Sequence, residues 1–101
     1  MTPQNPAQHA RVAADALERL VRDVQTGHAA WAHPHTVRQA VDDLTRITTA
    51  ASTALLQLAA AHSQHTQPGP RTTQSVTALH QAGHYTTTAA TQLRTARHTM
   101  N

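Results

Sequence analysis

The sequence predicts an all-α chain, an antiparallel three-helix bundle with long helices and coiled-coil-like packing, completed by dimerisation. Three observations carry that expectation. Apolar and small residues recur at alternating spacings of three and four along three segments. Proline and glycine fall between those segments. No strictly alternating strand pattern competes with them.

The first helix opens at "NPAQ", with Asn5 as N-cap, Pro6 at the first helical position and Gln8 placed to complete a capping box. Ala10, Ala13, Leu17, Leu20 and Val24 then share one face. Gly27, following "RDVQT", is a natural C-terminal stop, so the helix is expected near 6–27. "HAAWAHPH" turns the chain through a loop near 28–33, and Pro34 begins a second helix near 34–65, with Thr36 and Gln39 as an alternative capping pair. Its expected seam is Val37, Val41, Leu44, Thr48, Ala51, Leu55, Leu58 and His62, widened by Ile47 and Ala54. Pro68, Gly69 and Pro70 mark a loop near 66–70, the strongest break in the chain. The third helix, near 71–98, carries Val76, Leu79, Gly83, Thr86, Ala90, Leu93 and Arg97 at spacings of three and four. It is rich in threonine, whose branched Cβ loses rotamer freedom in a helix, so packing must hold it. Gly83 among small neighbours marks a place where another backbone can come close.

Composition sets further bounds. A chain of 101 residues makes one domain, here 1–101. Its eight Leu, six Val and single Ile stand against twenty Ala and no Phe, so the core is Ala-rich and must pack closely or recruit a partner. Helices of roughly 22, 32 and 28 residues leave an overhang on the order of 10–15 Å on the second. A second copy is the simplest cover, which is the ground for expecting a homodimer. With no Cys, disulfide scaffolds, Cys-ligated zinc and thiol catalysis are excluded. The all-Arg basic complement and abundant Ala, Thr, His and Gln resemble the usage of a GC-rich bacterial genome. The N-terminus lacks an apolar signal region and no stretch is apolar enough to span a bilayer, so a cytoplasmic protein with no membrane partner is expected.

Two clusters could carry chemistry. His80 and His84 are one helical turn apart, a spacing that suits a metal ion such as zinc, but no Asp or Glu follows Asp43 to complete or support a site. His62 and His65 do nearly the same on the second helix, but His80 and His84 lie about 7–8 Å and about 13 Å further along the axis than His62, so the four do not make one compact site, and no cofactor is expected. The same lack of acids leaves Arg71, Arg94 and Arg97 unopposed, and these are the candidate nucleic-acid contacts. Asp42 is expected to sit in a local ladder between Arg38 and Arg46. No Gly-rich phosphate loop, nucleophile elbow or HExxH occurs, and Asp42 and Asp43 diverge by about 100° on one helix, so no catalytic residues are assigned and an enzyme is not expected.

Trp31 and Tyr85 are the only aromatics. Trp31 would cap one end of the bundle or anchor a partner. In its length and its tryptophan between helices the chain resembles the small helical WXG100 secretion proteins. However, "WAH" at 31–33 has no glycine, Ala89 stands where an acid should follow Tyr85, and the family is not assigned. The expectation is a non-enzymatic helical interaction or assembly module that self-associates or binds another protein through Trp31, Leu55, Leu58, Gly83 and Tyr85. The alternatives are an accessory nucleic-acid-binding protein and a small leaderless secreted helical protein.

Overall fold

A computed structural model of the chain describes residues 5–100. The described residues form three helices and no strands: α1 (Ala7–Gln25), α2 (Pro34–His65) and α3 (Pro70–Thr99). The chain divides into two compact units, one ending at Pro34 and the other beginning at His35.

In the first unit α1 starts one residue later than expected, with Pro6 rather than Asn5 at the N-cap position and no side-chain cap bond from it. Asn5 Oδ1 accepts the Ala7 N–H at 3.0 Å, and Pro6 already has helical dihedrals, φ −64° and ψ −19°. At the far end the Thr26 N–H donates to Arg22 O at 2.8 Å, and its hydroxyl donates to the same carbonyl. Gly27 then takes φ 83°, a left-handed conformation that costs a residue with a Cβ, and the helix stops. Leu17, Leu20 and Val24 are half-buried, whereas Ala10 and Ala13 of the same face are exposed.

The second unit pairs α2 with α3. Their junction is set by backbone chemistry at the expected loop: Gly69 is extended and Pro70 occupies the first turn of α3. Thr72 Oγ1 donates to Gln67 O at 2.7 Å, tying that turn to the loop. Asp42, Thr49 and Ser52 of α2 meet Arg97, Arg94 and Thr87 of α3.

The buried and half-buried positions of α3 include Thr72, Val76, Leu79, Gly83, Thr86, Ala90, Leu93 and Arg97, and Met100 at its C-cap is half-buried too. This is the expected seam extended at both ends, with the three–four spacing of near-parallel helix packing. On α2 the seam runs through Val37, Val41, Leu44, Thr48, Ala51, Ser52, Leu55, Ala59 and His62. Leu58 was expected there and is not: the fully covered position is its neighbour Ala59. A leucine at 59 would hold α3 away, whereas alanine lets the seam close, and Leu58 is turned about 100° aside.

Thr86 sits half-buried in this seam without needing a partner across it, because its hydroxyl donates to Ala82 O one turn back. Thr48 does the same with Leu44 O. Along α3 the hydroxyls of Thr88, Thr91 and Thr95 also bond backward to carbonyls four residues earlier, at 3.1, 3.1 and 3.2 Å. Back-bonding satisfies the hydroxyl while adding nothing to helix propensity, so α3 depends on its contacts with α2. Those contacts are thin in apolar terms. Only Ala59 and Ala90, at 0% and 2% exposure, are buried hydrophobic residues among those described.

Candidate interaction surface

The two sides of the α2 and α3 seam differ in chemistry. One is polar and closed by bonds between the helices. Ser52 Oγ donates to Gly83 O at 3.0 Å and also contacts Thr87 Oγ1, which itself reaches Gly83 O at 3.0 Å. Three oxygens thus share two hydroxyl protons, and every polar atom of the cluster has a partner. Leu56 covers the same spot: a methyl added at Gly83 would lie 3.4 Å from Leu56 Cδ2 and 3.6 Å from Ser52 O.

Further along this side Arg94 donates to Thr49 Oγ1 at 3.0 Å. Arg97 Nε donates to Asp42 Oδ1 at 3.0 Å. The expected local ladder of Asp42 with Arg38 and Arg46 is therefore replaced by a bond across the seam. Asp43, rather than Asp42, faces Arg46, at 3.6 Å. The candidate cation Arg97 is accordingly not unopposed, because an acid from the other helix meets it. Arg71 lies apart, exposed in the first turn of α3. Arg94, Arg97 and His98 line a shallow depression of about 340 Å³ together with Thr45 and Asp42.

The opposite side is apolar: Ile47, Ala54, Leu58 and Ala61 are exposed there, Ala40 is half-buried, and Leu44 and Ala51 are half-buried where this side borders the seam. At about 100° per residue, Ala40, Leu44, Ile47, Ala51, Ala54, Leu58 and Ala61 fall in one stripe along α2, spaced four, three, four, three, four, three. On α3 the same turn of the wheel places Ala78, Ala82, Tyr85 and Ala89 beside it. Ile47, Leu58 and Tyr85 are 41%, 55% and 69% exposed. The stripe's seven side chains include no charged or hydrogen-bonding group.

The expected interface residues separate accordingly. Leu55 and Gly83 lie inside the seam, half-buried and buried. Leu58 and Tyr85 stand on the open side. Trp31 belongs to the other unit, in the connection after α1, and is 45% exposed. Ser52, Leu56 and Thr87, which join the two helices, carry no signal in the sequence, and Asp42 is expected there only in its local ladder. A polar residue in a helix seam and an ion pair between positions 42 and 97 give no local signal in the chain.

His80 and His84 are both exposed on α3, and the His84 ring lies 6.2 Å from that of Tyr85, tilted by 56°. Among the described residues no three His, Asp or Glu side chains converge as a metal set. No described helix is long and apolar enough to cross a membrane. No family model, no curated protein and no solved structure matches this chain.

Proposed function

We propose that the chain is a non-enzymatic interaction or assembly module in which the antiparallel pair of α2 and α3 is the stem and its apolar side is the docking surface. The observation that carries this reading is the exposure of Ile47, Leu58 and Tyr85 along one side of a helix pair whose buried apolar residues are two alanines. A contiguous apolar strip of this kind marks an interaction site. Covering a leucine or isoleucine contributes about 1.5–3 kcal/mol, which a stem with so little internal burial needs. The partner is a protein surface of matching apolar, helical character, with the chain's own copy among the occupants.

Cross-linking of the full chain in cell extract, read by mass spectrometry, tests it. Loss of protein neighbours in Leu58→Glu, with retention in the pair Arg94→Gln and Arg97→Gln, is the outcome expected. Loss confined to the arginine variants overturns it.

A second reading, an accessory nucleic-acid-binding protein, is favoured by the depression that Arg94, Arg97 and His98 share. Phosphate contacts release counterions, so binding of labelled duplex or single-stranded DNA should weaken steeply between low and physiological salt. An apolar helical interface hardly responds to salt. Absence of DNA binding at low salt removes this second reading.

A further inference from the structure

We infer that the occupant of the apolar side is a second copy of this chain, docked through α2 against α2 in antiparallel fashion about a two-fold axis at Ala51. The inference rests on the reading above that this side is a docking surface, and it names the partner and the register.

The stripe is self-complementary. Read forwards its spacings are four, three, four, three, four, three, and read backwards they interlock with themselves, as two antiparallel helices packing at a shallow angle require. With Ala51 on the axis, Leu44 and Leu58, each seven residues from it, fall opposite each other, while Ile47 and Ala54, four and three residues from it, and Ala40 and Ala61, eleven and ten, meet to within one residue of level. Ile47 meets Ala54 beside the axis and Leu44 meets Leu58 further out, and the alanines at the centre let the backbones approach. Because the operator is two-fold, both copies use the same patch and the contact closes at two.

Charge selects the same arrangement. Every Arg and Asp of α2 lies at or before Arg46, and residues 47–65 contain neither an acid nor an arginine. Antiparallel docking lays the charged half of one helix along the neutral half of the other, where Thr53, Gln57 and Gln64 flank the stripe. Parallel docking would set Asp43 against its own copy and Arg46 against its own copy, with unfavourable like-charge contacts.

The area is sufficient. From Ala40 to Ala61 the stripe runs about 32 Å, and two helices set ~10 Å apart present a side about 20 Å wide. That is on the order of 600 Å² from each copy and about 1,200 Å² in total, the lower bound of a stable specific interface.

The chain has no cysteine, so a single introduced one reports on the contact without background. The experiment is sedimentation of the full chain over a concentration series, with cysteine cross-linking of Ala51→Cys, on the proposed axis, and of Thr91→Cys, exposed on the polar side. A concentration-dependent dimer that cross-links through Ala51→Cys and not through Thr91→Cys is the expected result. In Leu58→Glu the dissociation constant should rise by about thirtyfold or more with helix content kept, and in Arg94→Gln it should not change.

A dimer that cross-links through Thr91→Cys alone overturns the assignment of the seam. A chain that stays monomeric up to ~1 mM overturns self-docking altogether. In that case the interaction-module reading stands if Leu58→Glu still loses its cross-linked neighbours in cell extract, and falls with the inference if it does not.

Discussion

The two sides of the α2 and α3 seam are built from the same helices and yet solve opposite problems. On the polar side each helix finishes its own requirements inside the chain: Ser52 reaches Gly83 O and Thr87, Arg94 reaches Thr49, and Arg97 reaches Asp42. On the apolar side Ile47, Leu58 and Tyr85 remain exposed. Hydrogen bonds fix which residues of α2 and α3 face each other but contribute little net stability, about 1 kcal/mol each. Apolar burial contributes more, and here Ile47, Leu58 and Tyr85 lie outside the seam while Leu44, Leu55, Leu79 and Leu93 are only half-buried within it. The difference teaches that this helix pair takes its register from polar contacts and leaves its hydrophobic surface for use elsewhere.

Overfilling the seam should break the contrast most strongly. Ala59→Leu places an isobutyl group where nothing is exposed, and separation of the helices should cost about 3 kcal/mol, read as a lower denaturation midpoint. Ala54→Leu makes the same change on the open side, where the position is exposed, and should cost the isolated chain nothing measurable. Equal losses in the two variants would show that the two sides are not different environments.

Gly83 and Ser52 come next. Gly83→Leu should cost about 1–3 kcal/mol by overpacking against Leu56 and Ser52. A single methyl sits at ordinary contact distance from both, so Gly83→Ala should instead stabilise by up to about 1 kcal/mol through helix propensity. A loss in Gly83→Ala would mean that the space beside Leu56 and Ser52 is tighter than those distances. Ser52→Ala removes a hydroxyl from the three-oxygen cluster and should lower stability by about 1 kcal/mol in urea unfolding. Its effect should be absorbed by Thr87→Val in a double-mutant cycle, because the two residues act as one unit.

Proline and glycine bracket α2 and α3, so their bounds are legible to within a residue, and the α3 seam from Val76 to Arg97 is legible because its run of small and apolar residues keeps the three–four spacing throughout. On α2 two runs overlap. Val37, Val41, Leu44, Thr48 and Leu55 share a face with Ala59, while Ala40, Ile47, Ala54, Leu58 and Ala61 make an equally regular run beside it. Periodicity does not rank two such runs, and preference for the larger side chain assigns Leu58 to the seam. What decides is the close approach of α3, which favours alanine at 59, and that is a tertiary fact. Ser52 was missed for the same reason, since its buried hydroxyl is satisfied only once residues 83 and 87 arrive.

The smallest expected effect bears most on the nucleic-acid reading. Arg97 and Asp42 are 29% and 56% exposed in their side chains, so their pair is worth less than about 0.5 kcal/mol and weakens with salt. Asp42→Asn should therefore leave the unfolding midpoint nearly unchanged. Its charge consequence is larger, because it removes the acid that faces Arg97 in the depression shared with Arg94 and His98. Were that depression a phosphate-binding site, Asp42→Asn should tighten DNA binding at low salt, and Arg94→Gln should weaken it in both backgrounds. If the apolar side is the working surface, both variants should keep wild-type self-association and neither should bind DNA. An acid bonded across the seam to an arginine is what a register contact requires, whereas in a phosphate site the same acid opposes the ligand.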